Sequence, residues 1–167
     1  AILSLSGKKV LLMSLDKKSS PPENFSGDKA AAGGLGEYLN GTSSFKEILS
    51  ATETAGLSFI KAGNPDVRLA ELMDSPQMEE FMKQARASFD FVVIDNAPIG
   101  ILSDAKTIAS FADVNLFVLR IGFSTKKELS YINRTAEEET IRNMIVVLND
   151  IPIRASLNKK SGYFNES

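Results

Sequence analysis

Residues 89–100 read "FDFVVIDNAPIG". An apolar run, Phe91 to Ile94, leads into a single carboxylate, Asp95, and Pro98 and Gly100 follow within five residues. A short unbroken apolar run bounded by turn residues predicts a strand buried on both faces, the pattern of a parallel sheet. A carboxylate leaving such a strand needs a partner, because burying a bare charge is expensive. Two kinds of partner fit. One is a helix N-terminus or a nearby lysine. The other is a hard cation such as Mg²⁺, which takes carboxylates, hydroxyls, waters and phosphate oxygens.

Working outward from this strand, similar runs recur. "KVLLMSL" (9–15) stops at Asp16, "GLSFIKAG" spans 56–63, "DVNLFVLR" spans 113–120, and "NMIVVLND" (143–150) carries Asn149 at its end. Helical spacing fills the intervals. Residues 68–89 carry it with a break near Ser75-Pro76, where Ser caps and Pro takes the first helical position. Residues 103–112 form a helix with Ser103 as N-cap, and "STKKELSYINRTAEEETI" (124–141) forms another. "GLGEYLNG" and "SFKEIL" read as short helical turns. Strands alternating with helices predict an α/β domain over residues 1–151, built on a mostly parallel, doubly wound sheet. Residues 17–34, rich in Ser, Pro, Gly and Lys, predict a mobile loop, and 152–167 a flexible tail. Ligands of such sheets bind beyond the carboxyl ends of the strands, where Asp16, Asp95 and Asn149 all fall.

Composition narrows the chemistry. The 167 residues are 43% hydrophobic and 24% charged, which suits one soluble globular domain. A net charge of −2 offers no basic surplus for nucleic acid. The absence of cysteine excludes disulfides and thiolate metal sites, and the absence of histidine excludes Ser-His-Asp and Cys-His catalysis. Chemistry must therefore run on carboxylates, Lys/Arg, hydroxyls and a bound cofactor or metal.

The sequence also carries a resemblance. "KKVLLMSLDKK", the block "LAELMDSPQMEEFMKQARASFDFVVIDNAPIGILSDAKTIASFADVNLFVLR" and "IVVLND" together resemble the cytoplasmic domain of bacterial tyrosine kinases (BY-kinases). These are deviant-Walker P-loop ATPases, akin to MinD and ParA, that accompany capsule and exopolysaccharide export. The resemblance implies that Asp95 is the Walker B aspartate, acting on Mg²⁺ directly or through water. It implies that Asp16 is the acid of the second Walker motif, serving metal and catalysis, and that Asn149 contacts the adenine. Tyr163, in the tail, stands as candidate phosphoacceptor. The implied activity is ATP- and Mg²⁺-dependent protein tyrosine autophosphorylation regulating polysaccharide chain length and export. The implied partner is an inner-membrane polysaccharide co-polymerase segment or adaptor, with homo-oligomers compatible, and the implied location is the cytoplasmic face of the bacterial inner membrane. Phosphoryl transfer asks for positioning and charge neutralisation more than for covalent chemistry, and two acids around a divalent ion suit that.

The sequence departs from the family at several points. No Gly-x-x-x-x-Gly-Lys-Ser/Thr occurs among the 167 residues, and that loop makes most of the phosphate contacts. Residues 1–7, "AILSLSG", resemble the last turns of the helix that follows it. The chain therefore reads as a fragment lacking the first strand and its loop, and the strand that would flank them is expected to lose a neighbour. Alone it is expected to bind ATP weakly or not at all. Ser14 stands where many members carry an acid, and Lys18 where Arg is usual. The alternative reading is a non-catalytic scaffold of the same fold that binds the export machinery. Elsewhere the "AEEE" of 136–139 predicts a solvated helix face, Asp104 a helix-start cap, Tyr38 and Tyr131 half-buried packing residues, and the Phe and Met residues of 81–91 core.

Overall fold

The first strand, β1 (Val10–Ser14), lies between two neighbours in a four-stranded sheet of order β2-β3-β1-β4. This computed structural model describes residues 2–15, 31–67, 69–96, 105–139 and 141–152. On one side β1 pairs in parallel with β3 (Leu57–Lys61), Val10 opposite Leu57 and Ser14 opposite Lys61. On the other it pairs in parallel with β4 (Phe91–Asp95), Val10 opposite Phe91 and Ser14 opposite Asp95. Flanked on both edges, its apolar run is buried as the sequence predicts: Leu11 and Met13 are 0% exposed. A two-residue strand, β2 (Ser50–Ala51), runs antiparallel to β3. It has no apolar run to betray it in the sequence.

The chain divides into two compact units, residues 1–108 and 109–167. In the first, a short helix α1 (Ile2–Leu5) precedes β1. Helices α2 (Leu35–Leu39) and α3 (Phe45–Ile48) precede β2, and α4 (Leu69–Leu72) precedes α5 (Pro76–Ser88). Helix α5 forms as the sequence reads: Pro76 opens it, the Ser75 hydroxyl accepts from the Met78 N–H at 3.3 Å, and Met78, Phe81, Met82 and Ala85 are buried along one face. That face meets α2 and α3 through an aromatic cluster. The Tyr38 and Phe81 ring centres are 5.4 Å apart and those of Phe45 and Phe81 5.5 Å, within the range of favourable aromatic pairs. Tyr38 is half-buried, as expected. After α5, Asp90 ties β4 to β1: its carboxylate accepts from the Lys9 N–H at 2.7 Å, and its own N–H donates to the Lys9 carbonyl.

The second unit holds a two-stranded parallel sheet, β5 (Asn115–Arg120) and β6 (Met144–Asn149), paired from Asn115–Met144 to Arg120–Asn149. Helix α6 (Ala105–Phe111) leads towards β5; its expected caps, Ser103 and Asp104, lie outside the described residues. Helix α7 (Lys126–Glu137) connects the two strands. Thr125 and Glu128 form its reciprocal N-terminal cap, and Ile132 and Thr135 are buried. Residues 136–139 are exposed, as the sequence predicts for the acidic run, and Tyr131 is half-buried.

Three strands are less covered than their sequences imply. Phe91 and Val93 of β4 are each 42% exposed, so the expectation that its run is fully buried, and that Phe91 belongs to the core, is corrected. The reason is pairing: among the described residues β4 has β1 on one edge and no strand on the other. In β5, Phe117 is buried between Leu116 and Val118, which are about 60% exposed. Val146 and Leu148 of β6 are also open. The expected loop residues 31–34 are described, and Gly33 and Gly34 are buried. The remainder of 17–34, and the tail from 153, lie outside the described residues.

Candidate functional site at the carboxyl edge

In the first unit, the parallel register brings three side chains of different chemistry to one end of the sheet. Lys61 ends β3, Ser14 ends β1 and Asp95 ends β4, and Ser14 is paired with both of the others. Residues paired in parallel strands point to the same face, so an ammonium, a hydroxyl and a carboxylate line one row. Ser14 is buried and the other two are exposed. Beyond the ladder, the Leu15 N–H donates to the Asp95 carbonyl at 2.8 Å, which carries the β1–β4 pairing one residue further. Asp16, the next residue, lies outside the described residues, as does Tyr163. Of the four site residues expected from the sequence, the structure therefore places Asp95 and Asn149.

Among the described residues no three acids, histidines or cysteines gather to hold a metal. That does not conflict with Mg²⁺, which keeps several waters and is commonly held by one or two carboxylates together with substrate phosphates. Asp95 fits that role: it is exposed at a strand end, with a hydroxyl-bearing residue as its ladder neighbour.

The segment that follows β3 is held by Glu37, which the sequence reading missed. Its Oε2 accepts from the Gly34 N–H at 2.6 Å and its Oε1 from the Asn64 N–H at 2.8 Å. Burial raises the Glu37 carboxyl, but the backbone donors of Asn64 and Gly34, with the Lys61 charge, outweigh it and hold it below its ordinary value of 4.5. Glu37 thus locks the segment after β3 to the start of α2. The contact is close: a Cβ on Gly34 would strike the backbone of Lys61 and Gly63, and Gly63 itself has φ +101°, a conformation that favours glycine. The signal available in sequence was the acid three residues into a helix that opens on glycine.

In the second unit, Asn149 closes β6. Its Oδ1 accepts from the Asp150 N–H at 2.8 Å, and its carbonyl accepts from the Ile121 N–H at 3.1 Å. Arg120, at the end of β5, donates through Nε to Asp150 Oδ2 at 2.9 Å. Its guanidinium stands 3.9 Å from the centre of the Phe123 ring. These partners of Asn149 were also missed; their signal was a charge directly after each apolar run. A cleft of about 380 Å³ lies at the amino ends of β5 and β6, lined by Asp113, Glu139, Arg142 and Asn143 among others. It is at the wrong end of the strands for the ligand position usual in parallel sheets.

The chain is α/β with mostly parallel strands, and its structural neighbours are P-loop NTPase-like domains. The MinD cell-division ATPase of Pyrococcus furiosus, 20% identical, shares the fold at a TM-score of 0.65 over 90% or more of the chain (93%) and 68% of MinD. The particular kinship is narrower: the homologues of this chain are bacterial tyrosine-protein kinases. It is 32% identical over 151 residues to the tyrosine-protein kinase ptk of Acinetobacter johnsonii, covering 90% of this chain and 20% of ptk. It matches the solved kinase domain of the Escherichia coli tyrosine kinase ETK at a TM-score of 0.79 and 26% identity, over 98% of this chain and 64% of that one. Homologues include kinases of capsule and exopolysaccharide regions. The chain spans about a fifth of the length of ptk and part of the kinase domain in ETK. Two neighbours of the same fold, each 16% identical, were solved with nucleotide and magnesium: the MinD of Pyrococcus horikoshii with Mg-ADP and the cobyrinic acid a,c-diamide synthase of Mycobacterium smegmatis with an ATP analogue. No family model matches the chain, and among the described residues no helix is long and apolar enough to cross a membrane.

Proposed function

We propose that this chain carries the metal-binding edge of an ATP-dependent protein tyrosine autokinase that regulates capsular or exopolysaccharide chain length and export. The observation that carries the reading is Asp95: a lone exposed carboxylate at the end of a parallel strand, in a chain whose homologues are tyrosine kinases. Asp95 and Asp16 would hold Mg²⁺, which neutralises charge on the transferring phosphoryl group. Lys61, on the same face as Asp95 and paired directly with Ser14, supplies a positive charge at this edge. Asn149 would orient the adenine, and Tyr163 would accept phosphate. The partner is a membrane-bound polysaccharide co-polymerase segment or adaptor, which would hold the chain at the cytoplasmic face of the inner membrane.

A second reading is a non-catalytic scaffold. What favours it is Ser14, at a position where the family often has an acid. On either reading these residues alone bind Mg-ATP weakly, and micromolar affinity in a fluorescent ATP titration would refute that. The kinase reading is tested on the complete product of the gene that encodes these residues, by following phosphotyrosine formation from Mg-ATP. Asp95→Asn is expected to slow it about ten- to a hundredfold, the scale seen when a metal site loses a supporting group. An Asp95→Asn protein that labels at the wild-type rate would overturn the reading, and a wild type that never labels would move it to the scaffold.

A further inference from the structure

The carboxyl edge of the first sheet sets two opposite charges on one face with a neutral residue between them. The order across the row is Lys61, Ser14, Asp95, fixed by the register of β3 and β4 on β1. Neighbouring strands lie about 4.8 Å apart, so the main chains of Lys61 and Asp95 are separated by about 10 Å. Both charged residues are exposed, whereas Ser14 is buried. Among the described residues Lys61 forms no ion pair. Glu37 feels its charge, but the Glu37 carboxylate oxygens are already engaged by the Gly34 and Asn64 N–H groups. An exposed lysine at a strand end is ordinarily solvated and indifferent to its neighbours. This one stands in register with the carboxylate that the proposed function gives to the metal.

We infer that this row recognises a metal–phosphate pair rather than either ion alone, and that Lys61 couples the two by opposing a bare divalent cation at Asp95 and receiving the phosphate that arrives with it. The inference rests on the reading that Asp95 faces a metal-bound nucleotide, and deepens it by giving Lys61 a phosphate-binding role. The argument is one of sign. A divalent cation that approaches Asp95 alone is attracted by the carboxylate and repelled by an ammonium two strands away. Charges about 10 Å apart still interact at low ionic strength. A phosphate that approaches alone meets the reverse balance. When the two arrive together, each charge of the row has an opposite partner. Lys61 then offers three donors on a compact point charge, and its bonds to phosphate oxygens are charge-assisted. Ser14 leaves the middle of the row uncharged, so neither end is neutralised from within it. Such coupling is reciprocal: the factor that phosphate adds to metal affinity, metal adds to phosphate affinity.

The test uses the whole chain and no nucleoside, so that base recognition and phosphoryl transfer stay out of the measurement. Mn²⁺ serves as the metal probe and inorganic pyrophosphate as the phosphate probe. Paramagnetic broadening of the Leu15 and Asp95 amide signals at low salt reports bound metal, with free Mn²⁺ and its pyrophosphate complex counted separately. In the wild type the complex should bind about tenfold more tightly than Mn²⁺ alone, within the usual range of coupling between two ligands. Lys61→Met should tighten Mn²⁺ alone about threefold, the effect of one unit charge about 10 Å from a divalent ion in water. It should also weaken the complex, so that most of the pyrophosphate advantage is lost. Lys61→Arg keeps the charge and should keep the advantage. Lys83→Met removes the same charge from the exposed side of α5 and should leave the ratio as in the wild type. The spectra themselves report whether each variant is folded. The inference is overturned if Lys61→Met changes the ratio no more than Lys83→Met does, or if it weakens Mn²⁺ and its complex by the same factor. Broadening that depends on Asp95 but ignores Lys61 would sink this inference and leave the metal edge standing. No broadening at Leu15 and Asp95, with or without pyrophosphate, would overturn both.

Discussion

Strands β1 and β5 have nearly interchangeable sequences, "VLLMS" and "NLFVLR", and different fates. Both are parallel. β1 is hydrogen-bonded along both edges, and its central side chains are shut away from water. Among the described residues β5 has a partner strand on one edge only, and it alternates between a buried Phe117 and the open positions Leu116 and Val118. An apolar run therefore predicts a strand reliably but not its burial. Burial is set by what lies on each side, and that information sits far away in the chain.

The comparison can be broken most easily in the interior. Leu11→Ala should cost about 2–5 kcal/mol in chemical denaturation, the range for emptying a packed core site; a loss under about 1 kcal/mol would mean that β1 is not the centre of its unit. Gly34→Ala should come next, at about 1–3 kcal/mol, since overpacking here meets the backbone of Lys61 and Gly63. Glu37→Gln should cost about 1–2 kcal/mol, because charge-assisted bonds to two backbone donors become neutral ones. The same residue gives a pH signature. Its carboxyl is held below its ordinary value in the folded state, so its contribution is complete above about pH 4.5 and is lost as pH falls through the folded value. Denaturation midpoints measured between neutral pH and pH 3 should fall less steeply in Glu37→Gln than in the wild type. At the far end, Val118→Thr on the open face of β5 should change stability by no more than about 0.5 kcal/mol, as surface substitutions do. A cost comparable to Leu11→Ala would show that this face is covered in solution.

Much of the architecture was legible in sequence. The runs at 9–15, 56–63, 91–95, 113–120 and 143–150 are all strands, and Ser75-Pro76 does open α5. β2 was not legible, because two polar-to-small residues paired on an edge leave no periodicity. The exposure of Phe91 was not legible either, since its run is as apolar as that of β1. At the site, Asp95 and Asn149 could be found because each ends an apolar run. Lys61 becomes part of the row only through the register of β3 on β1, and Glu37 only through its reach to Asn64, 27 residues away. Contacts of that range carry no local signature.

The central claim, that the carboxyl edge of β1 and β4 is where a divalent metal with its nucleotide sits, has a direct measurement. Mn²⁺ with ATP at millimolar concentration broadens the amide signals of residues close to the bound ion. The account predicts that Leu15, Asp95 and Asn96 broaden first, and that Asp95→Asn removes the effect. Broadening centred elsewhere, or unchanged in Asp95→Asn, would contradict it.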